Sequence, residues 1–119
     1  MAKILIVDDS KSMRQMIEMT LQDEGHDVVS AEDGVDALSK AKDASFSAIV
    51  TDINMPNMNG IELIKELRKL PQFSSTPILC LTTESGSDMK VQGKEAGATG
   101  WIVKPFEPEK LVKTINRVL

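Results

Sequence analysis

Cysteine and histidine are nearly absent from this 119-residue sequence. Cys80 is the only cysteine and His26 the only histidine, so the chain cannot form an internal disulfide or a thiolate metal site. Cys80 lies within the apolar run Ile78–Leu81, which predicts a core position. His26 lies in a predicted loop without a second ligand nearby, which predicts a surface position. A metal site in this chain would therefore need oxygen ligands.

Excess positive charge and long apolar segments are also lacking. The formal net charge of -4 and the pI near 5.0 argue against nucleic-acid binding, which needs a basic surface to displace counterions from phosphates. The apolar run Ile4–Val7 is too short for a signal-peptide core or a membrane span, and it ends in Asp8 and Asp9. We therefore expect one cytoplasmic domain over residues 1–119, with neither a membrane nor a nucleic acid as partner.

Short apolar runs and helical patterns alternate five times along the chain. The predicted strands are Lys3–Val7, Val28–Ala31, Ala48–Asp52, Pro77–Thr82 and Gly100–Val103. No hairpin signal joins consecutive strands, so each connection must be a helical crossover. The sequence therefore predicts an α/β fold with a five-stranded parallel sheet covered by helices on both faces.

The first two helices have recognisable start signals. Ser12 fits the N-cap of the first helix, with Gln15 as its capping-box partner. The second helix is predicted to begin near Gly34, with Asp33 as its cap and with Val35 on its inner face.

The remaining three helices differ in the quality of their patterns. Asn59 with Glu62 predicts a capping box for the third helix, and Pro108 suits the first turn of the fifth. The fourth, predicted over Ser85–Gly97, has a poor apolar stripe, and Gly93 costs it ~1 kcal/mol relative to alanine. We therefore expect the fourth helix to be the least firmly held.

Charged and polar side chains at the ends of the first, third, fourth and fifth predicted strands are the candidate site residues. Asp8 and Asp9 follow the first strand, Asp52 ends the third, Thr82 ends the fourth and Lys104 follows the fifth. A parallel sheet brings these carboxyl ends to one edge, where ligands of open α/β sheets bind. Carboxylates held together repel one another, by ~1 kcal/mol per pair at 4 Å in water, so we expect a cation there. All-oxygen ligation favours Mg²⁺, and a carboxylate beside it is suited to form an aspartyl-phosphate.

Taken together, these motifs closely resemble those of response-regulator receiver domains, and specifically their stand-alone chemotaxis type. The resemblance covers essentially the whole chain. It is carried by the acidic pair Asp8–Asp9, the run Asp52–Pro56 with Gly60 after it, Thr82, and the run Lys104–Phe106. It implies a doubly wound, flavodoxin-like sheet with strand order 2-1-3-4-5.

The resemblance also implies a role for each site residue. Asp52 would be the phospho-acceptor, and Asp9 and Asp52 would ligate Mg²⁺ directly. Asp8 would act through a metal-bound water, and Asn54 would offer its backbone carbonyl. Lys104 would pair with Asp52 or with the phosphoryl group.

A switch beside this site is implied in the same way. Thr82 would move toward the phosphoryl oxygen, and Trp101 occupies the position of an aromatic switch residue that is usually tyrosine or phenylalanine. The family usually has a cis peptide before the proline that matches Pro105. Partner contacts would lie on the face formed by the fourth helix, the fifth strand and the fifth helix.

The resulting hypothesis is a monomeric two-component response regulator that is phosphorylated by a histidine kinase. It catalyses only its own phosphorylation and dephosphorylation, and its favoured target is the flagellar motor switch. A phosphorelay intermediate and a phosphate sink remain open within this class, and an unphosphorylated interaction scaffold is the alternative from another class. A small-substrate phosphatase is disfavoured because no insert could form a substrate pocket. A nucleotide- or flavin-binding protein is rejected because the loop after the first strand lacks glycines.

Overall fold

The computed structural model describes residues 2–83 and 87–119, with side chains at all of these positions except 87–89. The strands are β1 (Lys3–Val7), β2 (Asp27–Ala31), β3 (Ala48–Asp52), β4 (Ile78–Thr82) and β5 (Gly100–Val103). The helices are α1 (Lys11–Asp23), α2 (Gly34–Ala41), α3 (Gly60–Arg68), α4 (Ser87–Ala96) and α5 (Pro108–Val118), with a 3-10 turn at Pro71–Phe73. The strands agree with the predictions to within one residue. The predicted start of the fourth helix at Ser85 lies outside the described residues.

The strands form one parallel sheet in the order β2-β1-β3-β4-β5, which confirms the predicted topology. The order reverses between β1 and β3, so the chain winds from the centre first to one edge and then to the other. In such sheets ligands bind outside the carboxyl ends of the strands at this reversal. The topology therefore places the ends of β1 and β3 at the expected binding edge.

Two apolar layers hold the sheet between its helices. One layer packs α2, α3 and the end of α4 against side chains such as Leu5, Ile49 and Cys80. The other packs α1 and α5 against the alternate side chains of the same strands, including Ile4 and Val50. Fully burying each such leucine, isoleucine or valine contributes ~1.5–3 kcal/mol. The helices on both faces explain why β3 and β4 are buried at every position.

Cys80 is fully buried in β4, as predicted. Burial disfavours the thiolate and raises the pKa of this thiol to about 12. The cysteine therefore serves as a small apolar core residue.

The N-cap of α1 is Ser10, so the prediction of Ser12 was wrong. The Ser10 hydroxyl accepts a hydrogen bond from the backbone N–H of Met13, and the Ser10 backbone is extended, as a cap requires. The reason lies in the preceding turn, because the Asp8 carboxylate accepts the backbone N–H of Ser10 at 2.9 Å. That turn lets the helix begin at Lys11, and the hydroxyl of Ser12 lies beside that of Ser10 instead.

Two other side-chain placements also differ from the predictions. Val35 is 52% exposed, because the buried face of α2 is formed by Gly34, Ala37 and Ala41. His26 is partly buried, and its Nδ1 accepts the backbone N–H of Ala2 at 3.2 Å. The imidazole thus fastens the chain before β1 to the loop before β2.

The other capping predictions are confirmed. Asp33 accepts the backbone N–H of Asp36 at the start of α2, and Asn59 forms a reciprocal capping box with Glu62 at the start of α3. Pro108 is the first residue of α5. No helix in the described ranges is long and apolar enough to cross a bilayer.

Candidate functional site

The predicted site residues meet at the carboxyl edge of the sheet. Asp52 is the last residue of β3 and lies beside Leu81 in the register of β4, one residue before Thr82. Thr82 in turn lies beside Val103 of β5, and Lys104 follows directly. The backbone N–H of Lys104 donates to the carbonyl of Thr82 at 2.7 Å, which extends the pairing of the two strands to the site itself.

Three carboxylates form the acidic centre of this edge. One oxygen from each of Asp8, Asp9 and Asp52 can be chosen so that the three atoms lie within 4.8 Å of one another. Asp8 is only 1% exposed and Asp52 only 7%, whereas Asp9 is exposed. Buried charges are costly unless they are paired, so the two buried carboxylates require a partner.

Lys104 is that partner. Its Nζ lies 2.9 Å from Asp8 Oδ2 and 3.3 Å from Asp52 Oδ2. Burial by itself would lower the pKa of Lys104, but the hydrogen bond to Asp8 and the negative charges of Asp52 and Asp8 outweigh it, and this pKa is raised. The side chain is therefore a cation at neutral pH and bridges both buried acids. With all three acids ionised, three carboxylates and one ammonium give the cluster a formal charge of −2.

The environment of Asp52 disfavours its ionised form. Burial raises the pKa of this carboxyl, and the negative charge of Asp8 adds to the rise, against the opposing effect of Lys104. Asp52 Oδ1 accepts the backbone N–H of Ile53 at 2.8 Å, while Oδ2 faces Lys104. One oxygen is thus fixed by the backbone, and the other faces the Lys104 ammonium.

Asp8 and Asp9 differ in how they are held. The Asp8 carboxylate is engaged by the Ser10 N–H and by Lys104, and the Asp8 carbonyl accepts Arg14 Nη1 at 2.7 Å. Within residues 2–83 and 87–119, the Asp9 carboxylate makes neither a hydrogen bond nor an ion pair. Asp9 is therefore the acid of the cluster that has a carboxylate available to a metal.

The loop between β3 and α3 borders the same cluster. Asn54 is exposed, and across the described ranges its backbone carbonyl accepts no hydrogen bond, so this oxygen can face a ligand. Gly60 closes the loop by donating its N–H to the carbonyl of Ile53 at 2.9 Å. A β-carbon at Gly60 would overlap the carbonyl oxygen of Asp52, which explains the glycine after the Met-Pro run.

A contact that the sequence did not predict fastens this loop to α2. The side-chain amide of Asn57 donates to Asp33 Oδ2 at 2.8 Å, while Asp33 Oδ1 caps α2. Asn57 has φ of 69°, in the left-handed region that asparagine tolerates better than most residues. The pKa of Asp33 lies below its ordinary value, because its carboxylate accepts hydrogen bonds, first from the Asp36 N–H and then from the Asn57 amide. The only sequence signal for this contact was an asparagine in a tight loop.

The proposed switch residues lie on neighbouring strands. Thr82 is fully buried at the end of β4, and Trp101 is partly buried in β5 and packs against the layer that contains Cys80. Trp101 lies beside Cys80 in register, so Trp101 and Thr82 lie on the same face of the sheet, diagonally across the two strands. The peptide bond between Lys104 and Pro105 is cis, as the resemblance implied.

The sequence and the fold of this chain are similar to those of known proteins. The family model for the response regulator receiver domain matches residues 4–116. The structure of the chemotaxis protein CheY4 of Vibrio cholerae is 55% identical and superposes with a TM-score of 0.97 over 100% of this chain and 99% of that one. A chemotaxis protein CheY homolog of Campylobacter jejuni is 43% identical over an alignment that covers 98% of this chain and 92% of that protein.

A more distant relative was solved with a metal ion. It is the receiver domain of a sensor histidine kinase from Pseudomonas aeruginosa, with a magnesium ion coordinated in its active-site cleft. It is 26% identical and has a TM-score of 0.91 over 98% of this chain and 96% of that one. The family match and these likenesses extend over nearly all of the sequence, and the chain therefore belongs to the response-regulator receiver domains.

Proposed function

We propose that this protein is a CheY-like response regulator in which Asp52 accepts a phosphoryl group from the phosphohistidine of a histidine kinase. The observation that carries the proposal is the buried acidic cluster bridged by Lys104 at the sheet edge. A simple structural ion pair would need one acid for one base, whereas here two further negative charges remain.

The chemistry follows from the orientation of the Asp52 carboxylate. Oδ1 is held by the Ile53 N–H, so Oδ2 is the oxygen that attacks phosphorus. The O–P bond forms as the N–P bond of phosphohistidine breaks, and the released imidazole nitrogen takes up a proton. Lys104 neutralises charge that develops on the phosphoryl oxygens, and the Thr82 hydroxyl then hydrogen-bonds one of them. Phosphoryl transfer depends on such positioning and charge neutralisation more than on acid-base groups.

The residues present also fit a magnesium ion. The donor set is composed entirely of oxygens, which suits a hard cation. Asp9 and Asp52 would bind it directly, with the Asn54 carbonyl as a further ligand. Asp8 is already engaged by Lys104 and the Ser10 N–H, which supports contact through water. The ion would supply positive charge to the transferring phosphoryl group, and the magnesium in the Pseudomonas relative supports this assignment.

The output is proposed to be binding of a target protein by the face of α4, β5 and α5. The chemotaxis names of the Vibrio and Campylobacter relatives favour the flagellar motor switch as that target. The protein then acts as a phospho-acceptor that catalyses only its own phosphorylation and dephosphorylation.

Incubation with acetyl phosphate and Mg²⁺, followed by intact mass measurement, tests the proposal. We expect one added phosphoryl group in the wild type, none after chelation of the metal, and none in Asp52→Asn. Asp43→Asn, which removes an exposed carboxylate outside the cluster, is the matched control and should accept the group normally. An unmodified wild type would instead support the interaction scaffold, and modification of Asp52→Asn would show that the acceptor lies elsewhere.

A further inference from the structure

Helix α4 has a glycine on its inner face that needs an explanation. Gly93 is buried and lies in the middle of the helix, where glycine is less favourable than alanine because it loses more backbone freedom. Its backbone is helical, so no special conformation requires a glycine there. The reason must lie in what Gly93 contacts.

That contact is the indole ring of Trp101. A β-carbon built on Gly93 would lie 2.7 Å from Cζ3 and 3.4 Å from Cε3 of Trp101. Carbon atoms that are not bonded pack best at about 3.5–4.0 Å, so even one methyl group would displace the ring. The missing side chain forms a notch in α4 that the edge of the indole fills.

The apolar packing of the Trp101 ring is opposed by the burial of its polar N–H group. The indole Nε1 of Trp101 is buried and has no hydrogen-bond partner in the described part of the chain. An unpaired buried donor is unfavourable, since its N–H would be hydrated if the ring moved outward. Among the described residues, the contacts that hold the ring in the notch are therefore apolar.

There is also space for the ring to move. A depression of about 320 Å³ adjoins it, lined by Lys90, Lys94, Ala98, Thr99, Gly100 and Trp101. This depression lies between α4 and the start of β5, so there is space beside the ring that no described side chain fills.

We propose that Gly93 is a positioning residue for Trp101, and that the notch makes α4 move with the tryptophan ring. When the ring leaves or re-enters the notch, the packing of α4 on β5 changes with it. The link from this motion to phosphorylation rests on the proposed function, whereas the notch itself does not.

A double-mutant cycle tests the notch. The variants are Gly93→Ala, Trp101→Phe and the double variant, compared by urea unfolding followed by circular dichroism. In the wild type, Gly93→Ala should lower the urea midpoint or leave it unchanged, because the clash cancels the gain in helix propensity. In Trp101→Phe, which lacks the second ring, the same substitution should raise the midpoint.

Gln92→Ala is the matched control, because Gln92 is the exposed neighbour of Gly93 on the same helix. It should change the midpoint equally in both backgrounds. If Gly93→Ala shifts the midpoint equally in both backgrounds, the notch is not a contact with the indole and the proposal is overturned.

Fluorescence distinguishes this inference from the proposed function. Without phosphodonor or metal, Gly93→Ala should shift the Trp101 emission to the red and increase its quenching by acrylamide. Unchanged quenching would overturn the proposal of the notch.

Beryllofluoride with Mg²⁺, a phosphoryl mimic, then tests the proposed function in the wild type alone. If the mimic leaves the Trp101 emission of the wild type unchanged while Gly93→Ala shifts that emission to the red, the result would contradict the proposed function and support the notch.

Discussion

The ammonium of Lys104 lies 3.3 Å from Oδ2 of Asp52, although β4 separates the strands from which the two residues come. A long side chain that follows β5 reaches across the carboxyl edge of the sheet to the end of β3. The same ammonium lies closer still to Asp8, at 2.9 Å. Lys104 thus shares one positive charge between two buried acids, and an added cation or phosphoryl group would redistribute these contacts.

We expect Asp52→Asn to stabilise the metal-free fold at neutral pH by ~1–3 kcal/mol, because it removes repulsion within the acidic cluster. The pKa of Asp52 is raised, mainly by burial, so the folded protein binds this proton more tightly than the unfolded chain does. The corresponding stability is present below the ordinary carboxyl value of 3.8 and is lost as the pH rises through the folded pKa. Urea midpoints measured from acidic to neutral pH should show this loss in the wild type and not in Asp52→Asn.

Asp43→Asn, which removes an exposed carboxylate, controls for the change in net charge. A clear loss of stability in Asp52→Asn alone would mean that Asp52 is a structural, favourably paired carboxylate.

Mg²⁺ should stabilise the fold by mass action, by ~2.7 kcal/mol when its concentration is a hundred times its dissociation constant. Asp9→Ala should remove this gain, because Asp9 offers the unengaged carboxylate of the cluster. Asp23→Ala, at the exposed end of α1, should keep it. The measurement is the melting temperature with and without Mg²⁺. An equal rise in the wild type and in Asp9→Ala would rule out the proposed ligand set.

Removal of the Lys104 ammonium should destabilise the metal-free protein. Breaking a fully buried ion pair costs ~3–5 kcal/mol, and we expect less, ~1–3 kcal/mol, because Lys104 retains some solvent contact. Lys104→Met keeps most of the aliphatic length and removes the charge. Part of the loss should be recovered by Mg²⁺, which the urea midpoint with and without the metal will show. No loss in Lys104→Met would mean that the two contacts of Lys104 contribute nothing to folding.

The Thr82→Ala variant tests how the site communicates with Trp101. In the wild type, beryllofluoride with Mg²⁺ should change the Trp101 emission and reduce its quenching by acrylamide. Thr82→Ala should lose most of this response while Asp52 still accepts a phosphoryl group, because the two side chains share one face of the sheet. A response that survives intact in Thr82→Ala would place the coupling elsewhere.

The contact between Asn57 and Asp33 predicts a measurable change in a pKa. Asn57→Gly tolerates the left-handed backbone and removes the side chain that carries the amide. The pKa of Asp33 should then rise toward its ordinary value, because a hydrogen bond that favours the carboxylate is lost. A carboxyl carbon titration by NMR measures this directly. An unchanged Asp33 pKa would mean that the amide does not hold the loop through this contact.

The fold was predictable because its signals are local and consistent. The buried strands are short apolar runs, and each run that ends in a charged or polar residue marks the same edge of the sheet. Parallel pairing then brings Asp8, Asp52 and Lys104 together without any further information. The comparisons confirm the family and the topology, while the chemical roles of these residues stay predictions.

The predictions that failed depended on contacts that the local sequence pattern does not show. Ser10 and Ser12 both fit an N-cap, and the Asp8 carboxylate decides between them by accepting the Ser10 N–H. From the sequence, Gly93 only weakens the fourth helix. The structure shows that the Trp101 ring on the neighbouring strand occupies the place of its missing side chain. Periodicity reports which face of an element is buried, and it carries no information about which side chain fills a given notch.

The most direct test of the account is to locate the phosphoryl group itself. After reaction with a phosphodonor and Mg²⁺, borohydride reduces an aspartyl-phosphate to homoserine, and mass spectrometry of the proteolytic fragments gives its position. The account predicts homoserine at position 52 alone, dependent on Mg²⁺. Homoserine at position 8 or 9, or no homoserine at any position, would contradict it.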